Sequence, residues 1–369
     1  MSGSVGKHVT VSPYLLWFVM HATQTGVGVL SFQSKLADGA GTDSWVSLLF
    51  TALAFHLVIA MLYPILRYAK EGDLVSIHSQ LFGRYVGMAL TLGFYLYCLL
   101  AVASQLRAYA EVITVWIFPE GRQWVTELIV LAVCAYIAVG GFRVVVGTAL
   151  FAVVVPTLLL PSLRHPLHFA QWDNFLPMFN HSLPEYWASS GQAVFLFLGV
   201  EFLLVYYPFI KNNARTQKWA HIATAHTTVI YLIILLVTFA FLNLNQLANV
   251  VWPTLMLSKV IKLTIVERFD YVYIFTWFFV ILPVCSVPLW SGARILKRST
   301  GLPRRFGVSL SAILIFAITL AFQSPTGSQM LYRLVSSCGM SIVFGYIPLL
   351  FLIVLIRRLL ERKALELRS

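Results

Sequence analysis

The chain has 369 residues, of which 59% are apolar and 11% charged, with a mean hydropathy of +0.82. A soluble domain is nearer half apolar and a quarter charged. These values exclude a soluble enzyme, a disordered chain and a disulfide-rich secreted domain. Apolar runs near 20 residues long recur along the whole chain, the mark of a polytopic helical membrane protein. A net charge of +12 then reads as topology rather than as affinity for nucleic acid.

The pattern predicts ten spans: Pro13–Ala37, Trp45–Leu66, Gly83–Trp116, Thr126–Val139, Val144–Leu163, Tyr186–Ile210, Ala220–Leu242, Tyr271–Ala293, Phe306–Phe322 and Val335–Leu360. The first apolar stretch is full length and lacks a small-residue cleavage site, so it is expected to remain in the mature protein. With the N-terminus placed in the cytoplasm, 18 Lys and Arg fall inside and seven outside, from Lys7 to Arg368. That bias places both termini in the cytoplasm. The polar segment Glu71–Gln80 suggests a short amphipathic piece, and Val260–Val266 a short interfacial helix. The whole chain, 1–369, reads as a single membrane domain.

Two spans carry matching interruptions. Gly26, Val27 and Gly28 break the first, and Gly199, Val200 and Glu201 the sixth, at an offset of 173 residues. Five spans lie between them, so the halves cross in opposite senses. The reading is a five-plus-five inverted repeat, 13–163 and 186–360, each half opening with a broken helix. Unwinding frees backbone N–H and C=O groups that lipid cannot satisfy and a polar ligand can. Half-helix N-termini favour a carboxylate. The alternative is that the glycines only let helices approach closely.

Ionisable groups within spans are functional candidates. Glu201, in the sixth-span break, either supports the unwound backbone or meets a ligand or proton directly. Arg107 and Glu111, four apart on one helix face, are expected to pair. His21 and Gln24 precede the first break on one face; His56 and His226 are single histidines in other spans. No spacing suggests a metal site, and no cofactor is expected. The four cysteines are scattered singly and read as small apolar fillers. Tyr97 and Cys98, with Cys285 and Ser286, lie midway along their spans, at depths suited to a pocket. Nucleophile-elbow, phosphate-loop, HExxH and CxxC patterns are all missing, which argues against an enzyme. Asn180, His181 and Ser182 form a glycosylation sequon on an outer loop.

Several strings resemble the B subunits of nutrient germinant receptors of endospore-forming bacteria, the GerAB-type spore germination proteins. They are Gly26 to Leu30, then Lys35 to Ala37, then Ala40 to Val46; Leu81 to Gly83 with Gly87; Gly199 to Glu201 with Pro208 and Phe209; and Glu267 to Asp270 with Trp277. They keep family order across most of the chain. Many members carry proline just after the first break, where this chain has Gln33. The resemblance implies membership of the amino acid–polyamine–organocation transporter superfamily, and so a LeuT-like all-α membrane fold with broken first and sixth helices. It further implies sensing of a small germinant, often an amino acid, in the spore inner membrane, with an A subunit and a lipoprotein C subunit as partners.

The expected ligand is a small zwitterion between the two breaks. N–H groups near Thr25, Gly26 and Gly28 would take its carboxylate. Carbonyls near Phe197, Gly199 and Val200, beside Glu201, would take its ammonium. Tyr97, Ala101 and Ser286 would shape its side-chain pocket. The competing reading is a proton- or sodium-coupled amino acid permease of the same fold, with Glu201 as its proton site. A water or ion conduit ranks below both, because the apolar core has few aligned charges.

Overall fold

The computed structural model describes residues 9–261 and 267–366. Among them every regular element is helical, apart from one isolated β-bridge. The expected Val260–Val266 helix, and the termini bearing Lys7 and Arg368, fall partly or wholly outside the described residues.

Helix α1 is Leu15–Gln24, and α2, Phe32–Ala40, runs on through a tight turn into α3, Ser44–Tyr68. Helix α4, Leu74–Trp116, is followed by α5, Gln123–Gly140, and α6, Phe142–Thr157. Next come α7, Leu183–Ala193, the four-residue α8, Leu203–Tyr206, and α9, Gln217–Phe241. The chain closes with α10, Phe269–Thr300, α11, Arg304–Ala321, α12, Pro325–Met340, and α13, Ile347–Glu366.

Eight helical runs among the described residues are long and apolar enough to cross a membrane, and a bent pair in the sixth-span position makes a ninth. Helix α1 has ten residues and spans about 15 Å, half a bilayer core. The expected first span is divided into α1 and α2, and α2 belongs to the run counted with α3, so the described residues give eight or nine crossings where ten were expected. Most predicted ends fall within a few residues of those observed. The eighth span runs seven residues past its predicted end, to Thr300, and the run of the tenth begins ten residues early, at Pro325; the difference at α4 has a physical reason. Helix α4 starts nine residues early because its first turns form the amphipathic piece, capped by Asp73 Oδ1 accepting from Ser76 N–H at 2.9 Å. Gly83, at φ +76°, then turns that piece away from the span proper. The predicted fifth span lies within a helical run from Phe142 to Leu167, whose first α-helical part, α6, ends at Thr157 just after Pro156.

Helix α10 is the axis of the bundle. It packs on α4, α5, α6 and α11, and 21 of its residues are buried. Its outward face carries Phe275 and Phe279, as apolar as the buried ones, which is why periodicity gave it no face. Helices α1 and α3 both pack on α9. Ahead of α1, Val11 and Ile210 form a parallel β-bridge. Val11 N–H donates to Phe209 O and Lys211 N–H to Val11 O, each at 2.9 Å. Arg143 Nη2 donates to Thr10 O at 3.0 Å beside it.

Candidate functional site

The first break begins where Thr25 leaves helical geometry (φ −109°, ψ 77°) and Gly26 becomes extended. A single 3-10 turn, Val27–Leu30, then leads into α2. Neither glycine there needs a positive φ; each needs space. A Cβ on Gly26 would stand 2.6 Å from Gln105 Oε1, and one on Gly28 2.4 Å from the Phe195 ring. The interruption thus lets α4 and the sixth span come close. The freed backbone is also satisfied by the protein. Val27 N–H donates to Gln105 Oε1 at 3.1 Å, and Tyr231 O–H to Gln24 O at 2.8 Å. The two readings of the glycines, close approach and unwinding, hold together.

The second break bends the sixth span by 46°. A 3-10 turn, Val194–Phe197, gives way to extended Leu198, then Gly199 at φ +122°, then a second 3-10 turn, Val200–Phe202, before α8. Here glycine is obligatory on two counts. The φ lies in the region L-residues avoid, and a Cβ would stand 2.8 Å from the backbone oxygen of Thr23. Glu201 is fully buried and curls back over the break. Its Oε2 accepts from Gly199 N–H and its Oε1 from Tyr97 O–H, both at 2.7 Å. Among the described residues no Lys, Arg or His forms an ion pair with it. The carboxylate is thus tied into the shape of the unwound backbone.

The two breaks face one another. Thr23 packs on Gly199, and Gln24 Nε2 donates to Phe197 O at 3.4 Å. Tyr97 stacks on Phe202 with centroids 5.9 Å apart. Phe197 is buried against Phe55 and Tyr231. Ser286 is buried with no hydrogen-bond partner for its Oγ, and Ala101 is half-buried. The acceptor expected for a ligand ammonium, Phe197 O, is engaged by Gln24 instead. A cavity of about 50 Å³ opens on the far face of the first break, between α1, α6, α9 and α10. Thr25 alone of the ten candidate residues lines it, together with His21 and Trp277.

Two expectations are corrected. Arg107 does not pair with Glu111. Its Nη1 meets Glu127 on α5 at 2.9 Å, its Nε donates to Ser328 at 2.9 Å, and it also contacts Gln323 O. Glu111 instead receives Tyr332 O–H at 3.4 Å. A partner across a helix interface encloses the charge fully, which a neighbour on the same helix surface cannot. His56 and His226 are not single: their rings lie against His221 and His21. The residues missed were Gln105, Thr227 and Tyr231, each a polar side chain within an apolar span. That was their only signal. Among the described residues no group of three or more His, Cys, Asp or Glu could hold a metal ion.

A family model described as spore germination protein matches residues 10–331. The chain belongs to the spore germination protein family. Spore germination protein GerQB of Bacillus cereus is 35% identical over 343 residues, 93% of this chain and 95% of that protein. Spore germination proteins B2 and A2 of Bacillus subtilis (strain 168) are 24% and 22% identical, over 70% and 81% of this chain and 71% and 83% of theirs. The crystal structure of MhsT in complex with L-phenylalanine is similar in fold, with a TM-score of 0.61 at 14% identity, covering 92% of this chain and 87% of that one. This germination protein is therefore a multi-pass membrane protein with the LeuT-like fold. It belongs to a permease-like class rather than to an enzyme class.

Proposed function

We propose that the chain is the nutrient-sensing B subunit of a spore germinant receptor, binding a small amino acid between its two broken helices. The observation that carries this reading is the meeting of the breaks at Thr23–Gly199 and Gln24–Phe197, in a family of spore germination proteins. The fold neighbour, described in complex with L-phenylalanine, supports an amino acid as ligand class. The repeat halves are 13–163 and 186–360, opened by those breaks.

In this proposal Thr25, Gly26 and Gly28 offer backbone donors to the carboxylate. Tyr97, Ala101 and Ser286 shape the side-chain pocket, and Phe197, Gly199, Val200 and Glu201 form the opposing wall. Gln105 Oε1 already supplies a carbonyl oxygen to Val27 N–H. A ligand carboxylate takes that place, so binding exchanges Gln105 for the germinant. The exchange favours one conformation only if the ligand binds it better than the other. The A and C subunits then read that conformation, in the spore inner membrane, with both termini of this chain cytoplasmic.

The second reading, a proton- or sodium-coupled permease, draws on the same fold neighbour. One preparation separates the two: purified protein is screened against amino acids by thermal shift, then reconstituted for labelled uptake under an imposed gradient. Saturable binding without accumulation supports the sensor. Gradient-driven accumulation replaces it with the permease, and absence of any ligand overturns both.

A further inference from the structure

The cavity behind the first break has a definable chemistry. The hydrogen bonds around it run in one direction. Gln24 Nε2 donates to Phe197 O, which fixes the amide so that Gln24 Oε1 accepts from Thr227 O–H at 2.8 Å. The one proton of Thr227 is claimed by Gln24 Oε1 and by Ala223 O at 2.9 Å, which leaves Oγ1 to accept from His21 Nδ1 at 2.8 Å. This network assigns the proton of a neutral His21 imidazole to Nδ1. Its Nε2 is left as a bare acceptor, with no protein partner among the described residues.

The hydroxyls on the cavity wall are equally committed. Thr25 donates to His21 O at 2.9 Å, Thr157 to Val153 O at 2.6 Å and Thr254 to Val29 O at 2.7 Å. Trp277 Nε1 is turned to Gly26 O. Thr254 Oγ1 also accepts from Gln33 Nε2 at 2.7 Å, so what is left to the cavity is the acceptor capacity of Thr25 and Thr157, together with the aromatic rings of Trp277 and Tyr273. The rest of the wall is aliphatic, from residues such as Val29, Ile234 and Val280. At about 10–15 Å³ per water-sized atom, a volume of about 50 Å³ admits roughly three to five heavy atoms.

We propose that this cavity is a binding site for a small aliphatic primary amine, its ammonium on His21 Nε2 and the threonine hydroxyls and its branched body on the aliphatic wall. A carboxylate or phosphate finds no donor there, so the site is distinct from the one proposed for the germinant. An ammonium brings three donors to a wall of acceptors and is further favoured by the aromatic faces. The occupant is joined to the second break by the chain His21, Thr227, Gln24, Phe197 O. Filling the cavity thus holds the two breaks together, a second input to the same conformational equilibrium.

The test uses the full chain in lipid nanodiscs, with calorimetric titration of three probes of one skeleton: isobutylamine, isobutanol and isobutyrate. The amine binds saturably, at least about tenfold tighter than the alcohol, since charge-assisted bonds exceed neutral ones by that margin. The acid does not bind. Ala152→Leu, which fills the cavity, weakens the amine at least tenfold. Val280→Leu does the same should the first variant fail to fold. His21→Phe retains bulk but removes the acceptor, and brings the amine-to-alcohol preference to about one. Equal binding of amine, alcohol and acid, unsaturable amine binding, or an affinity untouched by both filling variants overturns the proposal. A germinant site that fails its own uptake and binding test leaves these readouts unaffected.

Discussion

Replacing Glu201 by alanine and by glutamine separates shape from charge at the second break. The carboxylate accepts from Gly199 N–H and from Tyr97 O–H, each at 2.7 Å. Hydrogen bonds to a charged group contribute about 1.5–3 kcal/mol each, so Glu201→Ala costs about 3–6 kcal/mol. Removing a buried charge also relieves its desolvation. The loss persists because a backbone N–H and a phenol are then orphaned where no water reaches. In Glu201→Gln the amide oxygen accepts from Gly199 N–H and the amide nitrogen donates to the Tyr97 oxygen. The second amide hydrogen and the displaced Tyr97 hydroxyl proton then lack partners, and the cost is about 2–3 kcal/mol. Thermal unfolding of the purified variants in one detergent reads the order: wild type, then Gln, then Ala, with the alanine variant lower by on the order of 10 °C. Spores carrying the glutamine variant still respond to the cognate nutrient, and those with alanine do not. If glutamine proves as damaging as alanine in both assays, the carboxylate acts through its charge and the shape argument is wrong.

Gly199→Ala combines a forbidden φ with a clash on immovable backbone, at about 2–6 kcal/mol; Gly93→Ala, whose Cβ meets nothing within 4 Å, serves as the neutral control in the same melting series. Gln105→Ala removes the competitor for Val27 N–H, one hydrogen bond of about 0.5–1.5 kcal/mol. The germinant concentration for half-maximal response should fall about two- to tenfold, and a rise would remove Gln105 from the exchange. Glu127→Ala strands Arg107 and lowers stability by about 3–5 kcal/mol, whereas Glu111→Ala costs under about 1.5 kcal/mol; melting curves in the reverse order would restore the same-helix pair.

The glycine pairs were legible because a broken helix needs particular residues at particular places. Gly26 and Gly28 allow close approach, and Gly199 permits a backbone angle, so each leaves a mark in the sequence. The span positions were legible for a similar reason, since lipid imposes apolar length. Which face each helix turns inward was not. Helix α10 is buried over most of its surface, and the face it leaves outward carries Phe275 and Phe279, so its sequence is apolar nearly all round. The partner of Arg107 followed from packing across α4 and α5, which no spacing along one helix encodes. Gln105 and Thr227 were overlooked because a neutral polar side chain in a span has no signature beyond its polarity. The cavity lies on a face of the first break that depends on how α6, α9 and α10 converge, information held by no single segment.

The β-bridge between Val11 and Ile210 makes the approach to the first broken helix and the end of the second a single mechanical part. Two backbone hydrogen bonds hold it, at a net of about 1–3 kcal/mol together. A latch of that strength opens in roughly one molecule in six to one in 160. It is firm enough to set a resting state and weak enough for a modest ligand preference to reverse. In the proposed receptor the threshold for response is thus written partly in main chain, where side-chain substitution reaches it only indirectly.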